Sequence, residues 1–376
     1  MNPTNLGTPV EVSVAAIEKE LVSLWESADK RDQAVMRACS CNLLTVVQNR
    51  EEAEAFPPVL VKLSEWHPSR SILVYLESRE QSAPSEGSGM HAWISAQCSR
   101  PLSGGLHVCC EAITIAARGR AITNLPDTLL SLLIPDLPVY LYWRSFRIID
   151  TELIKKMARF SHLLIVDSHQ SRQDAQNRRQ LLQLLIEQPA GIAMRDLNWS
   201  RITAWRDLIA QFFDAAAMRP YLHDIVRVEI TRNLSAPGSI PTRTLLLTGW
   251  LASRLGWRRI SAHRFGDQWF STWTSDHREV QIHFTGAPAA PDQVPGISSV
   301  ILRTCRNAEF SVASEQGSSC LTATALVEGS RLVHSVSQES LDEASLLIRE
   351  LSQTGEDIVF KEALTEALEL EKSFLK

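Results

Sequence analysis

The segment PVYLYWRSFRIIDTELIKKMARFSHLLIVD, residues 138–167, decides the reading of the fold. Its ends, PVYLYW (138–143) and HLLIVD (162–167), are short apolar runs that predict buried strands. Between them TELIKKMARF (151–160) predicts a helix. Apolar strands alternating with helices define an α/β layer with substantial parallel pairing.

Working outward toward the N-terminus, the same alternation continues. VSVAAIEKELVSLWES (12–27) reads as an amphipathic helix with Ile17, Leu21, Leu24 and Trp25 on one face. MRACSCNLLTVVQ (36–48) is β-rich at its apolar end. EEAEAFPPVLVKLSEW (51–66) is helical around a Pro-Pro that interrupts it. Strands follow at SILVYLE (71–77), HAWISAQC (91–98) and HVCCEAITIAA (107–117), and a helix through NLPDTLLSLLI. The polar stretch at 78–90 reads as a loop.

Toward the C-terminus the style changes. After a polar helix ending at Pro189 come IVRVEITRN and the helix TRTLLLTGWLASRLG (242–256). Short strands of alternating polarity then follow from QWFSTWTS to CLTATALVE, separated by turn residues that suit antiparallel hairpins. Helices at 340–353 and 356–374 close the chain. The expectation is an α/β N-terminal domain (1–170) with a mixed or largely parallel sheet, followed by an α+β C-terminal domain (171–376) with an antiparallel sheet and terminal helices.

The chain has 376 residues and a net charge of −5, and its basic residues are dispersed, which points away from nucleic acid and anionic membranes as partners. No apolar run approaches the ~18 residues of a membrane helix. The N-terminus shows no charged segment followed by an apolar one, so the expected location is the cytoplasm. Seven cysteines form no C-x-x-C pair and no zinc pattern, and are expected to be free buried thiols.

Catalytic signatures are sparse. There is no G-x-x-x-x-G-K-[ST], no G-x-G-x-x-G after a strand and no G-x-S-x-G elbow. SGGLH (103–107) reads as a turn. Two short segments carry chemistry. VDSH (166–169) ends an apolar strand, where α/β proteins bind ligands, so Asp167 and His169 are candidates; Asp167 and Ser168 equally suit a helix cap. HPSR (67–70) offers His67 and Arg70, or else a rigid turn with Arg70 paired to a carboxylate. No metal or cofactor is expected.

RDLNWSRITAWRDLIAQFFD (195–214) crowds tryptophan and arginine at a helix start. Thr203 is the expected N-cap, and Trp205, Leu208, Ile209, Phe212 and Phe213 form an apolar face. Trp199 and Arg201 are expected to precede the helix in an extended or turning segment. Nothing there is a nucleophile. Trp199, Arg201 and Arg206 are residue types enriched at binding hot spots, which makes them the candidate partner interface, with core anchoring as the other reading.

Several segments resemble the glucose-6-phosphate dehydrogenase assembly protein family, OpcA. They are HPSRSILVYLE, CCEAITIAARG, LLSLLIPDLPVYLYWR and FSHLLIVDS in the first half. In the second half they are DLNWSRITAWRDLIAQFFD, LLLTGWLASRLGW and LLIRELSQTGEDIVFKEAL. The resemblance implies a non-enzymatic role: binding and activating glucose-6-phosphate dehydrogenase, in support of NADPH production through the oxidative pentose phosphate pathway. In photosynthetic bacteria the family is also linked to thioredoxin. The cysteines of this chain match no redox pair, so that partner is not carried over. The alternative reading is a sugar-phosphate or nucleotide sensor, or an enzyme, built on Asp167 and His169.

Overall fold

The computed structural model describes residues 5–374 apart from 30–34, 38, 78–88, 100–106, 145–150, 170–174, 188–190, 235–239, 267, 277, 289–295, 315–319 and 338–341. Most of the loop read at 78–90, and residues 103–106 of SGGLH, fall outside them. The chain divides into two compact units. The first comprises residues 1–167, 187–197 and 342–356; the second comprises 168–186, 198–341 and 357–376. A single cut at 170 therefore misses two returns, 187–197 and 342–356, to the first unit. The chain reaches them only after leaving it, and no composition shift marks the crossings.

The first unit begins with β1 (Asn5–Val12), a short 3-10 turn, α1 (Ile17–Asp29) and β2 (Val35–Arg37). It continues with β3 (Cys41–Val47), α2 (Arg50–Ala55), α3 (Pro57–Ser64), β4 (Ser69–Glu77), β5 (Gly89–Ser99), β6 (His107–Arg118), α4 (Ala121–Ser131), β7 (Val139–Trp143), α5 (Thr151–Ala158) and β8 (Leu163–Val166). After α6 (Ala175–Ile186) of the second unit, the chain returns to the first for β9 (Ala193–Asp196). Every residue of β3 and of β8 is buried, as expected of strands covered on both faces; β8 is an unbroken apolar run, whereas β3 carries Asn42 and Thr45 among its apolar residues, Asn42 donating to the Ile134 carbonyl. Pro57 and Pro58 occupy the first turn of α3, where a missing N–H costs nothing, so the expected interruption separates α2 from α3.

The sheet runs β1-β5-β6-β4-β3-β7-β8-β9, with β2 beside β6. From β6 to β9 all neighbours are parallel. The first of those strands, β3, is central; the next two in sequence lie on one side and the last three on the other. This is the 3-2-1-4-5-6 order of doubly wound dinucleotide-binding folds, with its switch point between the carboxyl ends of β3 and β7. β5 and β1 extend the β6 edge in antiparallel fashion.

The second unit continues with α7 (Leu197–Arg201), α8 (Thr203–Gln211), α9 (Arg219–Leu222), β10 (Ile225–Leu234) and α10 (Thr242–Leu255). Strands β11 (Arg258–Phe265), β12 (Gln268–Ser275), β13 (Arg278–Pro288), β14 (Gly296–Thr304), β15 (Glu309–Ser314), β16 (Cys320–Val327) and β17 (Ser330–Ser337) follow. Helix α11 (Glu343–Leu351) lies in the first unit, and α12 (Ile358–Ser373) in the second. The eight-stranded sheet runs β11-β12-β13-β10-β14-β15-β16-β17. It is antiparallel except where β10 pairs β13 in parallel, so the expected run of hairpins is broken by one long connection through α10.

Several local expectations change. Trp199 and Arg201 form the short helix α7 rather than an extended lead-in, and Thr203 starts α8 itself, behind Ile202, with no side-chain cap. β9 and β11 escaped the sequence reading because their charged residues mask periodicity, and β17 because both its faces are exposed. Cys109 is disulfide-bonded, against the expectation of free thiols; the β5–β6 register, invisible in linear spacing, sets Cys98 opposite it. Cys41 is a free buried thiol as expected, whereas Cys305 is free but exposed.

Candidate functional site

In the second unit, Trp199 is 3% exposed. Its indole Nε1 donates to Asp357 Oδ2 at 3.0 Å, and its ring tilts against Phe360 at 5.6 Å. The Arg206 guanidinium stacks over the indole, 3.5 Å from the ring centroid, and donates to Thr203 Oγ1 at 3.0 Å. Trp199 and Arg206 are thus brought together, and Arg201 ends the adjacent short helix, half-buried. The indole is buried against Asp357 and Phe360 of its own unit, as the core-anchoring reading of Trp199 requires. Arg201 and Arg206 keep accessible surface. Trp205, Leu208, Ile209 and Phe213 are buried, as their helical spacing demands.

Of the alternative ligand site, Arg70 and Asp167 are held apart. Arg70 lies at the amino end of β4, buried in an ion cluster. Its Nε donates to Glu111 Oε2 at 2.7 Å, its Nη1 to Glu18 Oε1 at 2.5 Å and to the Leu132 carbonyl at 2.7 Å. Trp25 Nε1 donates to the other Glu111 oxygen at 2.9 Å. Asp167 instead follows β8 at its carboxyl end. Register carries Val166 across Trp143 and Val46 to Val74, four residues beyond Arg70. That offset is about 13 Å along the strands, so Arg70 and Asp167 sit at opposite edges of the sheet. His67 contacts the Ile348 carbonyl at 3.3 Å and Ser352 Oγ at 3.1 Å, and burial lowers its pKa. His169, in the second unit, shares a hydrogen bond of 3.1 Å with Arg243, which also donates to Asn198 Oδ1 at 2.6 Å.

Sequence reasoning passed over the switch point itself. Arg144 leaves the carboxyl end of β7, with its Nε donating to Glu343 Oε1 and its Nη1 to Glu52 Oε2, both at 2.7 Å. The Tyr142 hydroxyl donates to the same Glu343 oxygen at 2.7 Å. Burial, then the charges of Asp167 and Glu343, push the Tyr142 phenol well above its ordinary pKa and keep it a donor. Glu343 opens α11, the helix that returns to this unit, and no local pattern announces a partner 199 residues from Arg144.

A doubly wound domain implies a dinucleotide at this point, and the residues present do not fit one. The cradle needs a glycine turn whose N–H groups, with a free helix start, receive the pyrophosphate. Here Val47-Gln48-Asn49-Arg50 makes the turn. The Gln48 N–H donates to the Glu52 carboxylate at 3.2 Å, and the Glu52 N–H to the Asn49 side chain at 2.9 Å. Two carboxylates and Arg144 stand where phosphate charge would go. Glu77 ends β4, where a ribose-binding acid would stand, but lies 3.7 Å from Arg118. Among the described residues no group of three or more His, Cys, Asp or Glu side chains is placed to hold a metal. No described helix is long and apolar enough to cross a membrane.

Fold and site together define a protein with a doubly wound α/β unit, its switch point filled by an ion cluster, and a second unit built on a mostly antiparallel sheet. Two family models match it: the glucose-6-phosphate dehydrogenase subunit N-terminal domain over residues 61–183, and the corresponding C-terminal domain over residues 192–364. The chain belongs to the OpcA family, which is described by these two domains. It is 31% identical over 210 residues to the OxPP cycle protein OpcA of Nostoc punctiforme, covering 54% of this chain and 44% of that one. It is 27% identical over 287 residues to its namesake in Synechococcus elongatus, covering 73% of this chain and 62% of that one. The matched region spans about half the length of these relatives. A dehydrogenase (MviM) structure from Clostridium difficile superposes with a TM-score of 0.47 at 9% identity, covering 88% of this chain and 97% of that one.

Proposed function

We propose that this chain binds glucose-6-phosphate dehydrogenase as a non-enzymatic assembly factor and activates it, supporting NADPH production in the oxidative pentose phosphate pathway. The observation that carries the reading is the match of both dehydrogenase-subunit domains in order along one chain. The filled switch point favours it further, because Arg144, Glu52 and Glu343 occupy the place where a dinucleotide enzyme holds its cofactor. Activation follows if the chain binds the active form of the enzyme more tightly than the inactive form. A tenfold gain in apparent substrate affinity corresponds to about 1.4 kcal/mol of coupling, modest for a protein interface. Arg201 and Arg206 are the interface candidates that remain, with Trp199 holding Arg206 in place.

The test is a steady-state assay of the dehydrogenase from the same organism, with and without this chain, over a range of substrate concentrations. A lower KM or a higher kcat at stoichiometric addition is expected. Unchanged kinetics, with no complex on a sizing column, would overturn the reading. The distance between Arg70 and Asp167 along the strands takes Arg70 out of the sensor or enzyme alternative, which then rests on Asp167 and His169 alone.

A further inference from the structure

The eight-stranded sheet has two unlike faces. On one, Val228, Ile230, Val300, Leu302, Phe310 and Val312 are buried. There α8 packs on β15 and β16, α10 on β14 and α12 on β11. The other face carries no described helix of this unit. Register aligns His283, Glu229, Ile301, Ser311, Thr324 and Val333 in a row crossing six strands. A parallel row of small side chains runs through Thr231, Ser299, Ala313, Thr322 and Ser335. These rows make a flat surface that continues to the edge strand, where Val333 is 55% exposed.

We propose that this open face is the contact between two copies of the chain, packed sheet against sheet around a two-fold axis. Three observations select a second copy. A two-fold contact presses a patch against itself, so the patch must be close to electrically neutral. The open face carries Arg227, Arg258, Arg303 and Arg331 against Glu229, Glu279 and Glu309, a net of one positive charge. The central charges already neutralise one another: Glu229 lies 2.8 Å from Arg227 and 2.5 Å from Arg303, and Arg303 lies 3.0 Å from Glu309.

The second observation is area. Eight strands about 4.8 Å apart, with about six residues of each contributing, give roughly 38 by 20 Å, or about 800 Å² per copy. That matches the roughly 800 Å² per partner of a standard stable interface. The third is composition: none of the eight strands contains lysine, the residue most often kept out of interfaces, whereas arginine and aromatic side chains such as Phe270 are present. Small hydroxyl side chains let two such faces approach to the ~10 Å of stacked sheets.

Light scattering on the full chain over a concentration series reads the proposal directly. The expected mass is twice 42.0 kDa. Ile301→Arg or Thr324→Arg places a new charge against its own copy and is expected to return the mass to 42.0 kDa, with a melting temperature that no longer rises with concentration as the parent's does. Amide exchange of the unmodified chain, which needs no variant, is expected to show slower exchange in β14–β16 as concentration rises. A chain that stays at 42.0 kDa up to about 100 µM overturns the proposal. So does a dimer that both variants leave intact. A monomer whose Ile301→Arg variant loses capture of the dehydrogenase would assign the face to that enzyme instead.

Discussion

Asp357 serves Trp199 and its own helix at once. One carboxylate oxygen accepts the Trp199 indole N–H at 3.0 Å, and the other accepts the Phe360 N–H at 2.8 Å, capping α12. The segment 198–201 is thereby tied to the start of the last helix through a single side chain. Trp199→Ala removes a ring packed on Phe360 and leaves the Arg206 guanidinium without its platform. A loss of about 3–5 kcal/mol is expected. Trp199→Phe should lose less, about 1–2 kcal/mol, because packing survives and only the buried donor goes. Denaturant unfolding of the two variants checks the order, and equal losses would show that the bond to Asp357 contributes the whole effect.

Arg201 is expected to behave differently from Trp199. It is half-buried at the end of α7, whereas Trp199 is buried, so replacement of Arg201 by Glu reverses a charge on a side chain that still reaches solvent. Dehydrogenase activation should fall while the melting temperature stays within a degree or two of the parent. A large fall in melting temperature alongside lost activation would place Arg201 in the core with Trp199.

Gly249 sits inside α10 where ordinary propensity favours alanine by about 1 kcal/mol. Its surroundings reverse the sign. A Cβ there would run into the Ala363 carbonyl oxygen and come within 2.9 Å of the Ala367 nitrogen, both backbone atoms of α12. Gly249→Ala must push the two helices apart, with a net loss of about 1–3 kcal/mol expected from overpacking. A raised melting temperature for this variant would mean the crossing is looser than described.

Asp342 caps α11 by accepting the Ser345 N–H at 2.8 Å and faces Lys62 Nζ at 2.8 Å. The Lys62 bond, then those to Ser345, lower its pKa to about 2 from 3.8. A depressed carboxylate contributes stability that is complete above its unfolded pKa and disappears as pH falls through the folded value. The side chain is 59% exposed, so solvent screening holds the effect to about 1 kcal/mol or less. Asp342→Asn keeps a capping acceptor and removes the charge. Its stability should lie slightly below the parent at pH 6 and converge with it between pH 4 and 2. A constant gap through that window would trace the difference to the cap alone.

The parallel strands were legible because burial on both faces favours short, predominantly apolar runs, as in LLTVV, VYLYW and LLIV. β17 was not, since a strand exposed on both faces has no alternation to read. The site was less legible than the fold. Arg70 could be read as a paired arginine, but its partners Glu18 and Glu111 are 52 and 41 residues away. Glu343 is remote from Arg144 and reaches it only because the chain re-enters the first unit after the second is built. Such pairings are created by topology, and no spacing rule within a single segment encodes them.

The closed crevice makes the last prediction. Arg144 is 20% exposed at the side chain and holds two carboxylates exposed by 26% and 22%. Arg144→Met leaves Glu52 and Glu343 facing each other without a cation, beside the buried Tyr142 phenol. A loss of about 1–3 kcal/mol is expected from the uncompensated groups, measured by urea unfolding. The same geometry predicts that the parent chain does not bind NADPH, because a pyrophosphate would meet two glutamates and a turn whose N–H groups are already engaged. Calorimetric titration with NADPH should give no heat of binding. Saturable binding, abolished by Arg144→Met, would show that Glu343 withdraws to admit the nucleotide, and would reinstate the crevice as a ligand site.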